Sequence, residues 1–316
     1  MQPATAKVTV VGAGYVGSTC AHLAALKNLA SEIVLTDVLE GRAEGIALDM
    51  NQSAAIEGFQ ARVVGSSEPE ATYDSDLFIV TAGRPRKPGM SRSDLLEVNG
   101  RIVCEVAESI RRGSPDAIVI VVTNPLDSMV GLMRAKLGFP AQRVIGMAGV
   151  LDSARFSWFL SEATGAAVQD VDAMVLGAHG DSMVPMPRYC TVNGVSAQDL
   201  VPADAMDAMV DRTRKGGAEI VKLLKTGSAW YAPASASVAM AESILNDGRR
   251  LLPSACLLNG EYGFEGIYMG VPAILGRQGV ERIVEVPLST ESRIQMQSTA
   301  GEISRDMDSL RDLGLL

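Results

Sequence analysis

The chain has 316 residues, a formal net charge of −9, 47% hydrophobic residues and only 4% aromatic ones. This is enough chain for two cooperating domains around a large aliphatic core, but the acidic balance argues against nucleic acid as a partner, because phosphate binding needs clustered Lys and Arg. No run approaches the ~20 apolar residues of a membrane helix, which excludes a membrane-spanning protein.

Residues 1–7 contain no basic opening followed by a long apolar run, so the chain reads as cytoplasmic. Short β-rich runs at 7–11, 32–37, 62–64, 77–82 and 117–122 then alternate with longer helical patterns, the rhythm of βαβ units. The run at 117–122 is continuously apolar, as expected when helices cover both faces of a parallel sheet. The predicted fold class is α/β, with a Rossmann-type doubly wound parallel sheet over residues 1–145.

From about Ile145 the rhythm changes. The pattern predicts a helix over 151–163, strands over 174–178 and 183–192, and a tight hairpin turn at Asn193-Gly194. Helices over 203–225 and 235–246, short strands between 251 and 286, and a terminal helix follow. Residues 146–316 therefore read as a second, mixed α+β domain that carries substrate and catalysis. In the terminal helix Met296, Ala300, Ile303, Met307 and Leu310 recur at helical spacing, the stripe of a helix docked on its own domain. Cys20, Cys104, Cys190 and Cys256 lie far apart, forming neither a metal-like pair nor a disulfide framework. No metal is expected.

Gly12-Ala13-Gly14-Tyr15-Val16-Gly17 follows the first strand directly and opens a helical pattern. In that context Gly12 permits a tight turn, Gly14 lets backbone approach a pyrophosphate, and Gly17 allows close helix–strand packing, with the helix N-terminus attracting the anion. Asp37, at the end of the second strand, is placed to accept hydrogen bonds from the adenosine ribose and to repel a 2′-phosphate. The expected cofactor is NAD.

Only His22 and His179 can supply an imidazole for proton transfer near neutral pH. His22 falls among Leu23, Ala24 and Leu26 in the first helical pattern and reads as structural, whereas His179 ends an apolar strand between Gly177 and Gly180. Asp152 and Arg155 are three residues apart in a helical pattern, so both can project from one face. An Asp can hold an imidazole in one tautomer, and an Arg can bind a carboxylate through two parallel hydrogen bonds. The same spacing also suits an ordinary intrahelical ion pair.

Taken with Thr81-Ala82-Gly83, the 85–92 segment Pro-Arg-Lys-Pro-Gly-Met-Ser-Arg, Thr123-Asn124-Pro125, Leu151-Asp152-Ser153-Ala154-Arg155 and Gly177-Ala178-His179-Gly180-Asp181, the glycine motif resembles the lactate and malate dehydrogenase family over essentially the whole chain. Within that family it is most similar to the prokaryotic lactate-dehydrogenase-like branch that acts on malate. The resemblance implies reversible, NAD-dependent oxidation of (S)-malate to oxaloacetate, with His179 as acid/base and Asp152 orienting it. It assigns Arg155 to the C1 carboxylate, Arg92 to polarising the reacting carbonyl, and Asn124 to a further substrate hydrogen bond. Asn99 and the backbone of Val122, Thr123 and Asn124 are placed beside the nicotinamide half of NAD.

Arg86 bears on substrate choice. It stands where the resemblance has glutamine in lactate enzymes and arginine in malate enzymes, and burying oxaloacetate's second carboxylate without a cation is costly. Ala229 matches the malate form too, with a small residue where lactate enzymes carry a threonine. Arg84 departs from the pattern, since close relatives have a small or apolar residue there. By themselves Arg84, Arg86, Lys87 and Arg92 read as a solvated basic loop. The alternative within the family is a lactate or other 2-hydroxy-acid dehydrogenase. Outside it stand an NAD-dependent glycosidase, which needs a metal, and an NAD-sensing module in which His179 is structural. Family resemblance further implies a homotetramer or homodimer.

Overall fold

The computed structural model describes residues 5–85 and 91–316. Its first half builds β1 (Lys7–Val11), α1 (Tyr15–Leu26), β2 (Glu32–Thr36), α2 (Arg42–Glu57), β3 (Arg62–Ser66), β4 (Leu77–Val80), α3 (Arg92–Gly113), β5 (Ile118–Val121), α4 (Leu126–Leu137) and β6 (Val144–Gly146). The strands lie in the order β3-β2-β1-β4-β5-β6, with parallel neighbours throughout. This is a Rossmann-type sheet, and its order reverses between β1 and β4, where such sheets hold ligands at the carboxyl ends of the strands.

The strand sequences account for the layering. Successive side chains of β4 point to opposite faces: Leu77 and Ile79 join Val8, Val10, Ile33 and Leu35 in one buried cluster, while Phe78 and Val80 join Val119 and Val121 in another. Cys20, Ala21 and Ala24 of α1 cover the first face. Leu96 and Val103 of α3, with Met129 and Met133 of α4, cover the second. Because neither face meets water, the strands are apolar throughout.

The second half comprises α5 (Gly149–Thr164), β7 (Val171–Asp172), β8 (Val175–Gly177), β9 (Met183–Pro185), β10 (Thr191–Val192), β11 (Val195–Ser196), α6 (Ala197–Leu200), α7 (Ala203–Leu224), α8 (Tyr231–Leu245), β12 (Arg250–Asn259), β13 (Glu265–Gly276), β14 (Gly279–Ile283) and α9 (Thr290–Asp312). The same sheet continues as β6-β12-β13-β8-β9, antiparallel from β12 onward, with β14 paired to β13; β7, β10 and β11 form a small separate sheet. The seam rests on Gly146 opposite Ala255, where a Cβ on the glycine would lie 2.8 Å from the Ala255 Cβ. Residue 145 falls inside β6, the strand that carries the parallel half into the antiparallel one. This second half is an α/β unit joined to the Rossmann-like one.

The structure departs from the sequence pattern in three places. The strand expected over 183–192 breaks because Pro187 opens a 3-10 turn, leaving only β9 and β10 extended. Between 251 and 286 stand two long antiparallel strands of 10 and 12 residues rather than a series of short ones. Helix α8 begins at Tyr231 rather than 235, since Pro233 is tolerated in a first turn. The Asn193-Gly194 turn forms as expected, with φ values of +48° and +85° joining β10 to β11. In α9, Met296, Ala300, Ile303 and Leu310 are buried against the chain's own core, with Met307 packed beside them. No helix among the described residues is long and apolar enough to cross a membrane.

Candidate active site

The three glycines after β1 do different jobs. Gly12 has φ +102°, donates its N–H to Thr36 O at 2.8 Å, and leaves a Cβ only 2.9 Å from the Ala82 nitrogen. At Gly17 a Cβ would lie 1.8 Å from Gly12 O, so packing of α1 on the β1 turn requires glycine there. A Cβ on Gly14 meets nothing within 4 Å; the protein's own packing does not require that glycine. Gly14 is the N-cap of α1, which has no side-chain cap and no acidic residue in its first turn. The open backbone and free helix-end donors fit the approach of a pyrophosphate. Asp37 Oδ2 accepts the Ala13 N–H at 2.8 Å and Oδ1 accepts that of Leu39 at 3.1 Å, which brings the carboxylate to the rim of this cradle.

A second group forms where α5 meets the sheet. Gly149 starts this helix so close to β12 and β8 that a Cβ would lie 2.6 Å from both the Pro253 Cβ and Val175 O, and Ser153 Oγ accepts the Val175 N–H at 3.0 Å. The first turn of α5 is thereby pinned to β8. The chain leaves β8 through Gly177, at φ +82°, and places His179 over Asp152. His179 Nδ1 lies 2.9 Å from Asp152 Oδ2, and Arg155 Nη1 donates to Asp152 Oδ1 at 3.2 Å. Asp152 is only 1% exposed, so this bifurcated carboxylate sits in a medium that screens little.

Burial by itself favours the neutral imidazole of His179. The charge and hydrogen bond of Asp152 outweigh it and, with Asp127 adding to them and Arg155 opposing, hold the His179 pKa above its ordinary value. Because Asp152 engages Nδ1, Nε2 is the nitrogen left to exchange a proton with a ligand; it has no hydrogen-bond partner among the described residues. Arg155 lies along Gly216 and Gly217 of α7, where a Cβ on Gly216 would come within 3.2 Å of Arg155 Cδ. Its Nε is buried without a hydrogen-bond partner among the described residues. A guanidinium held this way has donors to spare for a carboxylate.

A third group links the segments after β4 and β5. Asn99, buried in α3, accepts the Arg84 N–H at 2.7 Å and donates to Arg84 O at 3.2 Å and Asn124 O at 2.7 Å. Its amide donors are thus committed to backbone. Val122 N–H donates to Val80 O, and Thr123 Oγ1 to Ala82 O at 2.6 Å, while the Asn124 side chain is exposed. Helix α3 starts in a capping box, Ser91 Oγ accepting the Asp94 N–H and Asp94 Oδ2 accepting that of Ser91. Arg92 is its first residue. Arg86 lies outside the described residues, and Arg84 is exposed.

Several residues of this region have no sequence motif of their own. Asp127, three residues beyond Asn124, accepts the His179 N–H at 3.0 Å and ties the β5 segment to the histidine turn; an acid in an apolar first helical turn was the available signal. Arg42 Nε donates to Ala13 O at 2.9 Å beside Asp37. Tyr15 stacks on Trp230, ring centroids 5.0 Å apart, so that the glycine loop touches the residue following Ala229. His22 is half-buried on α1 and makes no ion pair among the described residues.

A Rossmann-type sheet with a glycine turn open to a pyrophosphate, and a His179–Asp152–Arg155 group joined through one carboxylate, mark an NAD-binding oxidoreductase. Residues 6–146 match the lactate/malate dehydrogenase NAD binding domain, and residues 149–313 the lactate/malate dehydrogenase alpha/beta C-terminal domain. The chain belongs to the lactate/malate dehydrogenase family. It is 47% identical over 307 residues to a malate dehydrogenase of Roseiflexus castenholzii, covering 97% of this chain and 99% of that one. Among solved structures it is similar to the malate dehydrogenase of Cryptosporidium parvum, with a TM-score of 0.94, 41% identity, and coverage of 99% and 100% of the two chains. A lactate dehydrogenase of the same organism, complexed with lactic acid and nicotinamide adenine dinucleotide, gives a TM-score of 0.93 at 39% identity, over 97% and 98% of the chains.

Proposed function

We propose that the chain is an NAD-dependent malate dehydrogenase that interconverts (S)-malate and oxaloacetate. The observation that carries the chemistry is the shared carboxylate of Asp152, with His179 on one oxygen and Arg155 on the other. NADH, when bound, supplies the hydride to the keto carbon of oxaloacetate. In that direction His179 donates the Nε2 proton to the developing alkoxide, and Asp152 stabilises the imidazolium that gives it up; in malate oxidation the neutral imidazole takes the hydroxyl proton. Arg155 holds the C1 carboxylate so that the reacting carbon faces the histidine. Asn124 adds a substrate hydrogen bond and Arg92 polarises the carbonyl.

The division of labour runs with the chain: residues 1–145 hold NAD through Gly12, Ala13, Gly14, Tyr15, Val16, Gly17 and Asp37, and residues 146–316 carry substrate and acid/base chemistry. Gly83, Asn99 and the Val122–Asn124 backbone form the floor beside the nicotinamide, with Asn99 acting by fixing that backbone. The small dicarboxylate is selected by Arg86, assisted by the room left at Ala229, and the names of the malate dehydrogenase relatives support this choice. Replacing Arg86 with Gln is expected to change the ratio of kcat/KM for oxaloacetate over pyruvate by about 10²-fold or more towards pyruvate, the scale of an uncompensated carboxylate. A wild type that prefers pyruvate, or a ratio the substitution leaves alone, overturns the malate assignment.

The protein works in the cytoplasm, without a nucleic-acid or membrane partner, as a homotetramer or a homodimer. Leu48 and Ile56 on α2, Trp158 on α5 and Leu223 on α7 are more than half exposed, apolar side chains available to a subunit interface. Sedimentation equilibrium is expected to return a small multiple of the 33.3 kDa chain mass; a monomer at micromolar concentration contradicts the assembly.

A further inference from the structure

Behind the His179–Asp152 pair lies a second carboxyl group that the proposed chemistry does not use. Asp127 belongs to the first turn of α4, is 5% exposed, and stands just after the segment that carries Asn124. Its Oδ2 accepts the backbone N–H of His179 at 3.0 Å. Its Oδ1 is buried and has no hydrogen-bond partner among the described residues. An ionised carboxylate accepts only, and a bare buried oxygen of that kind is costly; the cost falls when the oxygen carries a proton or when positive charge lies alongside.

We propose that Asp127 is a positioning residue for the hydride-transfer chemistry assigned above, anchoring the His179 main chain through Oδ2 and setting, by gain or loss of a proton on Oδ1, the charge that the imidazole faces. Two carboxyl groups then bracket one imidazole. Asp152 holds the ring at Nδ1 and Asp127 holds the turn that carries the ring. When Asp127 is ionised it favours the imidazolium, the form required for oxaloacetate reduction; when it is protonated that support is withdrawn. The two groups exchange protons with solvent as a coupled pair, with apparent pKa values belonging to both.

The surroundings support this assignment. Burial pushes the Asp127 carboxyl up to about 7, against the opposing pull of the His179 backbone hydrogen bond and charge, and the Asp152 charge adds to the rise. A cavity beside it is lined by His179 and Asp181 from the histidine turn and by Glu302, Arg305 and Asp306 from α9. Asp306 accepts the Ser128 hydroxyl at 3.1 Å, next to Asp127 on α4. Arg155, on the far side of Asp152, opposes the imidazolium. Of these groups Asp127 is the one bonded to the His179 main chain.

The inference rests on the malate dehydrogenase assignment but is tested apart from it, because His22 and His179 are the only histidines and their ring resonances can be followed by NMR without turnover. In the wild type the His179 resonance is expected to titrate in two steps, reporting its own proton and that of its neighbour. Asp127→Asn keeps an acceptor for the His179 N–H but loses the charge. It is expected to give a single step, lowered by about 0.5 pH unit, equivalent to about threefold in the protonated fraction above the pKa. The pH limb of oxaloacetate reduction should move down with it. Asp127→Ala also removes the acceptor and is expected to lower kcat at least about tenfold at every pH, with NADH affinity kept. A single-step titration in the wild type, or an Asp127→Asn titration superposed on the wild-type curve, overturns the proposal even if the enzyme reduces oxaloacetate. If oxaloacetate is not reduced but the two-step titration and its collapse are seen, the charge coupling stands and the substrate assignment falls.

Discussion

His179→Asn is expected to lower turnover in both directions by about 10²–10⁴-fold, the contribution of a positioned general acid or base, while NADH binding stays within about twofold because the glycine cradle is untouched. Asn preserves the main-chain bond to Asp127 and a short polar side chain towards Asp152, so the loss reports proton transfer rather than collapse of the turn. The pH dependence has a definite sign. Since the His179 pKa is raised, oxaloacetate reduction, which needs the imidazolium, holds at low pH and falls as pH rises through that raised value; malate oxidation, which needs the neutral ring, falls as pH drops. Stability follows by linkage: the interactions that raise the pKa contribute fully below the unfolded value near ~6.5 and are lost as pH rises through the folded one. The variant should lack this slope in urea melts taken between about pH 6 and about pH 9. An active His179→Asn enzyme, or one whose pH limbs match the wild type, removes His179 from the reaction.

The parts of this site that were legible in sequence are those in which chemistry is tied to a local backbone requirement. Gly12 is fixed by its φ of +102° and Gly17 by its approach to Gly12 O, both within the turn between β1 and α1, so the motif announces itself. Asp152 and Arg155 share a helical face, which spacing alone conveys. Their convergence with His179 was different: 24 residues separate Arg155 from it, and the contact depends on Gly149 letting α5 sit against β8 and β12, a long-range steric fact with no local signature. The same holds for Asp127, 52 residues from the backbone N–H that it accepts. Asn99 shows the converse, because the resemblance placed it beside the cofactor while its amide is committed to the Arg84 and Asn124 backbone. Strand limits depart from the local pattern where Pro187 redirects the chain and where β12 and β13 pair along almost their whole length. There, distant partners rather than local composition decide how far the strand extends.

Arg155→Gln is expected to reduce kcat/KM for oxaloacetate by about 10³-fold, about 4 kcal/mol, because removing one partner of a buried charge-assisted contact leaves the substrate carboxylate desolvated and unpaired. Lysine is expected to recover only part of it, since a point charge cannot offer two parallel N–H groups. NADH affinity should be unchanged in both. The groove on α7 gives an independent handle. A Cβ on Gly216 comes to 3.2 Å from Arg155 Cδ, so Gly216→Ala should nudge the guanidinium by a small amount and Gly216→Val by more, with KM for oxaloacetate rising in that order. Alanine in a helix interior is intrinsically better than glycine by about 1 kcal/mol, so a loss of activity in Gly216→Ala with an unchanged urea midpoint does not come from weakening α7. It isolates crowding of the arginine. Equal rises in KM for NADH and oxaloacetate, or none for either across the Gln, Ala and Val variants, would show that Arg155 balances Asp152 rather than holding substrate. A graded rise confined to the dicarboxylate places the guanidinium on the carboxylate and the α7 glycines in charge of its position.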